Sequence, residues 1–144
     1  MAVTYNTGKG TGIAFASDDL RILLLGGSSV PAGAYAPTIA TVAALLAVSG
    51  CTELVATNYA RKSTTRTETI DQNNNRAADA VSVDVTWTAL GGAANDTIRA
   101  IVVYKYVAGG DANCIPICYM DLSSPLTTNG SDVVYTAQDV VRRA

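Results

Sequence analysis

The chain has 144 residues, 49% apolar and only 15% charged, with ten basic and twelve acidic side chains and a formal net charge of −2. That length fits one domain able to bury a core without metals or disulfides, and nothing in the overall charge steers it toward nucleic acid. Histidine is absent, which removes the usual general base, the Ser-His and Cys-His nucleophile pairs and most zinc sites.

Residues 1–16 are rich in Gly and Thr, with isolated Tyr5, Ile13 and Phe15, and read as an extended arm ahead of a single β-sandwich domain at 17–144. The run Gly8-Lys9-Gly10-Thr11-Gly12 has neither a strand before it nor a helix after it, so it is not a phosphate loop. No basic segment followed by an apolar run opens the chain, so no signal peptide is expected. No stretch approaches 18 clean apolar residues, so no membrane span is expected either. Leu20 to Leu25 is a short apolar strand. Thr38 to Val48 carries Ile39, Val42, Leu45 and Leu46 on one helical stripe, with Thr38 or Thr41 as cap and Gly50 as its stop.

Thr52 to Thr69 reads as the next strand region, extended by Ile70. The polar turn Asp71 to Arg76 joins it as a hairpin to a strand at Ala80–Thr88. There Val81, Val83, Val85 and Trp87 alternate with polar residues, which predicts one buried face. Leu90 to Asp96 is a turn. Thr97 to Val107 is apolar on both sides, as in a sheet covered on both faces. The expectation is that these two strands pair antiparallel at the centre of the fold.

Ala108 to Asn113 reads as a loop, and Cys114 to Asp121 as a strand in which Pro116 demands an edge or a bulge. Leu122 to Asp132 reads as a loop and Val133 to Val141 as the last strand. The sum is an all-β, antiparallel sandwich of six or seven strands with one helix. Cys51, Cys114 and Cys118 are an odd number. On one extended strand the last two would point the same way with Cα atoms roughly 13 Å apart, too far to bridge, so all three are expected as reduced, buried thiols.

No catalytic motif stands out, and the chain is read as not an enzyme, without cofactor or metal. The carboxylates Asp18, Asp19, Glu53, Glu68, Asp71, Asp79 and Asp84 fall in turns or on polar strand faces. Asp71 to Asn75 and Asn95-Asp96 could offer oxygen ligands to calcium but match no recognised loop, and turn chemistry accounts for them. The surface is the informative feature. A free monomer usually carries about 25–35% charge on its surface, so a chain this poor in charge is expected to meet other chains. Arg61, Lys62, Arg66 and Arg76 form the basic group, read either as solvated gatekeepers on strands or as a docking patch for an acidic partner. Trp87, Tyr104 and Tyr106 allow a sugar-stacking face as an alternative to core packing.

Several short patterns resemble a divergent group of small tailed-bacteriophage virion proteins of the capsid decoration, cement or fibre type. Leu20–Leu25 is similar to that group's early strand. Thr41-Val42-Ala43, Glu53 and Thr57-Asn58-Tyr59-Ala60-Arg61 are similar to its helix followed by a Gly-Tyr-x-Arg strand entry, with Asn58 in place of Gly and therefore suited to a positive φ. Val83 to Thr88 with Ala100 to Tyr104, and Asp121 with Thr127 to Gly130, complete the likeness. The resemblance implies a virion structural protein made in the host cytoplasm. Its partners would be the major capsid protein or other virion subunits, as a homo-oligomer on the particle, with no nucleic acid or membrane. Tyr5, Ile13 and Phe15 of the arm, together with the four basic residues, are the expected interface; a head fibre, neck or tail component and a small carbohydrate-binding module are the alternatives.

Overall fold

The run Leu20-Arg21-Ile22-Leu23-Leu24-Leu25 is too apolar to face water on either side, and the fold is built around it. A computed structural model describes residues 2–4, 17–27, 29, 31–36, 38–71, 76–81, 83–136 and 139–143. Its strands are β1 (Ala2–Thr4), β2 (Leu20–Gly26), β3 (Thr52–Glu53), β4 (Lys62–Ser63), β5 (Arg66–Asp71), β6 (Arg76–Val81), β7 (Val85–Leu90), β8 (Thr97–Lys105), β9 (Ile115–Thr127), β10 (Ser131–Tyr135) and β11 (Asp139–Arg143). The helical elements are a 3-10 turn, Ala32–Tyr35, and α1, Val42–Leu46. The protein is mainly β and antiparallel, as its sequence predicts.

The main sheet has the order β1-β9-β8-β2-β3, with β4 also on β2. It is covered on both faces. On one, Leu20, Ile22, Leu24, Val103 and Ile117 pack with Leu54, Trp87, Leu90 and Tyr135. On the other, Leu23, Leu25, Ala100, Val102, Tyr104 and Tyr119 pack with Val42 and Leu45 of α1 and with Ala34 and Ile39. Each fully buried side chain of this kind is worth about 1.5–3 kcal/mol relative to exposure.

The expected central pair does not form. β7 pairs with β10, setting Trp87 opposite Val133 and Val85 opposite Tyr135, while β8 lies between β2 and β9. The reason is in the faces. β7 is apolar on one side only, with Val85 and Trp87 buried and Thr86 and Thr88 exposed, which suits an outer layer. β8 is buried on both sides and belongs in the covered sheet. Gly91 and Gly92, both at positive φ, carry the chain from one layer to the other. Trp87 is 1% exposed as expected, but Val83 lies ahead of β7 and is 55% exposed.

A hairpin does form across Asp71 to Arg76, but onto β6, not onto the expected Ala80–Thr88 strand, which is divided between the end of β6 and β7: β5 and β6 pair from Arg66↔Val81 to Asp71↔Arg76, and β11 joins β6 from the other side. The strand expected over Thr52–Thr69 is broken into β3, β4 and the start of β5, and that over Val133–Val141 into β10 and β11. The helix is shorter than the expected Thr38–Val48. Thr41 Oγ1 accepts from Ala44 N–H at 3.1 Å and fixes the start. The Val42 and Ala43 N–H groups donate to Cys114 and Asp111 carbonyls, outside the helix. The helix ends on Ala47, and Gly50, at φ 81, serves the following turn instead.

Pro116 sits at a bulge, as the sequence requires: Val103 faces Cys118 but Tyr104 faces Pro116, leaving Ile117 as the extra residue. That residue reverses the alternation. Cys114 and Cys118 therefore lie on opposite faces of the sheet, not on one as expected. All three cysteines are free and buried. Burial pushes the Cys118 thiol up to about 11, so it is a packing residue at neutral pH. The expected loop at Leu122–Asp132 is instead strand as far as Thr127. Ala100 faces Asp121 and Ile98 faces Leu126, so residues 122–125 arch out opposite Arg99, with Pro125 where no ladder donor is needed. Of the expected arm, Ala2–Thr4 form β1 and pair with Met120–Cys118 of the same chain. Tyr5, Ile13 and Phe15 lie outside the described residues.

Candidate functional site

Residues 57–61 form a strap over the open side of β2. Asn58 takes φ 64, as its position in the sequence suggests, and its Nδ2 donates to the Ala89 carbonyl at 2.9 Å. The next three residues reach three different places. Tyr59 packs against the Trp87 side of the sheet. The Ala60 carbonyl accepts from Trp87 Nε1 at 2.8 Å. Arg61 lies on the other side, its guanidinium 5.5 Å from the centre of the Tyr104 ring. The strap thus crosses the sheet edge and is held on both faces.

Between the short ladders to β3 and β4, Leu24 has no strand partner on its outer side. The strap supplies one. Leu24 N–H donates to Tyr59 Oη at 3.0 Å, and the Leu24 carbonyl accepts from Leu54 N–H at 2.9 Å. Tyr59 Oη in turn donates to Glu53 Oε1 at 2.8 Å. Burial, with the Glu53 carboxylate beside it, drives the Tyr59 phenol far above its ordinary range, so it stays a donor.

Arg61 grips two carboxylates. Nε and Nη2 donate to Glu53 at 2.8 and 2.7 Å, and Nη1 and Nη2 donate to Asp111, the latter at 2.8 Å. Bidentate pairs of this kind are the strongest ionic hydrogen bonds a protein makes. Asp111 and Glu53 raise the Arg61 pKa, and Arg61 holds the Asp111 carboxyl below its usual range. Asp111 lies in the turn between β8 and β9, so the guanidinium ties that turn to β3.

A second carboxylate works the same way at the other end of β8. Asp96 accepts backbone N–H groups from Gly27 at 3.2 Å, Val55 at 2.9 Å and Thr97 at 2.7 Å. Burial pushes its carboxyl up, but these donors and Arg99 outweigh it and hold it below the ordinary value. Asn95 Oδ1 accepts from Gly92 N–H at 2.7 Å. The Asn95-Asp96 pair is thus turn chemistry. Among the described residues no group of three or more His, Cys, Asp or Glu is placed to hold a metal ion.

The basic group of the sequence is dispersed by the fold. Arg61 is committed to Glu53 and Asp111 and does not stand free for a partner. Lys62 is half-buried on β4 opposite Ile22. Arg66 and Arg76 stand at opposite ends of the β5–β6 ladder, facing Val81 and Asp71 in register. Of the acids named above, Asp18 pairs with Lys105 at 3.0 Å and Asp19 with Arg21 at 2.9 Å. Trp87 and Tyr104 are each 1% exposed and serve core packing, while Tyr106 is half-buried with the Arg21 guanidinium 3.5 Å above its ring. The sequence reading missed Asp111 and Asp96 as partners. The signal for Asp111 was faint: an acid after Gly109-Gly110, with no charge near it in sequence. Comparison with known proteins finds no family model, no curated protein and no solved structure that matches this chain.

Proposed function

We propose that this chain is a structural protein of a tailed-phage particle, acting as a capsid cement or decoration protein that stabilises joints between major capsid subunits. The observation that carries the reading is the scarcity of charge on a β scaffold: 15% of residues are charged, and among the described residues Arg21, Arg61 and Lys105 are used in ion pairs within the chain. Val55, Val83, Leu126 and Val134 are large apolar residues left 47–74% exposed. A surface low in charge is of the kind that the cores of protein–protein interfaces use. The resemblance of the Leu20–Leu25 and Asn58–Arg61 segments points to the same class.

The test is direct. Purified particles from the phage that encodes the chain are imaged by cryo-electron microscopy, and their proteins are identified by mass spectrometry. Density for the chain at capsid joints, in many copies, is the expected result. Density at the neck, tail or a head fibre moves it to another part of the virion. Particles that lack the protein altogether overturn the proposal.

A further inference from the structure

We infer that β5 is a docking edge for a second copy of this chain, joined to it antiparallel about a two-fold axis through Thr67. β5 is the outer strand of the sheet β11-β6-β5, and among the described residues its only ladder is the one to β6. It is six residues long and contains no proline, so it is blunted neither by shortness nor by a missing donor. Thr65, immediately before it, is exposed. An edge of this length, with no described strand beside it, offers a row of backbone groups to another strand.

The sequence of that edge says which strand. Two identical antiparallel edges can pair only with a residue opposite its own copy on the axis, because facing residues must both point their N–H and C=O toward the partner or both away. With Thr67 on the axis, Arg66 stands opposite the partner's Glu68 and Thr65 opposite the partner's Thr69. The stretch Thr65-Arg66-Thr67-Glu68-Thr69 is self-complementary: two opposite-charge pairs and three Thr-Thr pairs, both favourable across strands. Moving the axis to Glu68 puts two acids face to face. Moving it to Thr69 leaves Glu68 opposite the partner's Ile70 and Arg66 beyond the described pairing. A parallel arrangement cannot match the two signs in the same way.

The chain's own ladder supplies a second reason. Glu68 lies directly opposite Asp79, whose other neighbour in register is Val141. In register, the row Val141–Asp79–Glu68 thus sets two acids directly opposite one another, a pairing that is unfavourable as a rule. In the paired form the row continues to the partner's Arg66, which brings a positive charge to it. This pairing stands whether or not the chain belongs to a virion, and its test needs no particle.

Sedimentation equilibrium of the full chain at about 1–200 µM, a range that captures modest homodimer affinities, is expected to show a reversible dimer. Because the fastening is partly ionic, raising the salt from about 50 to 500 mM weakens it. Arg66→Glu alone and Glu68→Arg alone each set like charges opposite one another twice, and each weakens dimerisation at least ~10-fold. An equimolar mixture of the two variants restores it, because each altered position then meets its complement. Circular dichroism first establishes that both variants are folded; should one not be, the salt series on the unaltered chain decides. A monomer at every concentration, a dimer indifferent to salt or to either substitution, or a mixture that stays monomeric overturns the inference.

Discussion

The two edges formed by β2 and β5 are handled in opposite ways. The gap along β2 is closed by side chains of its own molecule: Tyr59 takes the spare N–H of Leu24, and the strap carrying Tyr59 is fastened by Trp87 on one face and Arg61 on the other. β5 has, among the described residues, a ladder on one side only, and its sequence Thr65 to Thr69 is self-complementary when set antiparallel to its own copy. An unpaired edge is a hazard that a protein must cover or use. On the proposed pairing, the contrast is that covering an edge takes a network of polar groups, whereas using one takes a suitable pattern of five residues.

The largest way to break the closed edge is to remove its anchor. Trp87 fills the space between the sheet and β7–β10 and holds Ala60 through its N–H. Trp87→Ala is expected to cost about 3–5 kcal/mol in urea unfolding, through the cavity and the orphaned carbonyl together. A cost below about 1 kcal/mol would show that the strap does not depend on it.

Arg61 comes next. Arg61→Leu leaves Glu53 and Asp111 facing each other without a cation, but these side chains are 23–33% exposed, so water offsets part of the loss. The expected cost is about 1–3 kcal/mol. Arg61→Lys keeps the charge and loses the fork that spans both carboxylates, and it should recover less than half of that. Full recovery by lysine would mean that charge alone matters. Tyr59→Phe is milder still. It removes one acceptor from Leu24 N–H and one donor to Glu53 without altering the packing, for about 1–2 kcal/mol by the same measurement. Exchange of the Leu24 amide with deuterium should quicken at the same time; an unchanged rate would place its protection elsewhere.

How much of this was legible in the sequence follows from the range of each signal. Periodicity is local, so β2, the one-sided β7 and the two-sided β8 could be read from their own residues, and the polar run after Ile70 marked a hairpin turn without identifying β6 as its second strand. Partnership is not local. The alternation in β7 says that one face is buried and nothing about what lies beside it, which is why β7 was expected on β8 and is found on β10. Bulges are equally invisible: a single extra residue at Ile117 sent Cys114 and Cys118 to opposite faces. At the site, Asn58 announced its own backbone, but the Arg61–Asp111 pair spans fifty residues and only the fold brings it together. The four basic residues looked like one patch because they are near in sequence; one became a clasp and two mark the ends of a ladder.

The smallest expected effect separates the two carboxylates that hold the closed end. Both Asp111 and Asp96 have folded-state values below the ordinary aspartate pKa of about 3.9. For such a group the folded state binds fewer protons than the unfolded state over the interval between the two values. Its contribution is therefore fully present above about pH 5 and is lost as the pH falls through the depressed folded value. The unaltered protein should show stability that declines on acidification from about pH 5 downward. Asp111→Asn removes one group from the linkage and should make that decline shallower, while lowering the plateau at neutral pH because Arg61 keeps only Glu53. Asp96→Asn should also flatten the slope by removing a titrating group, while the Gly27 and Thr97 N–H groups keep only a neutral acceptor and the Val55 N–H loses its own, with no bearing on Arg61. The two effects should add in the double variant, since the groups share no partner. Urea midpoints measured at half-unit steps between pH 2 and pH 7 decide it, and a slope that neither substitution changes would assign the acid sensitivity to other carboxylates of the chain.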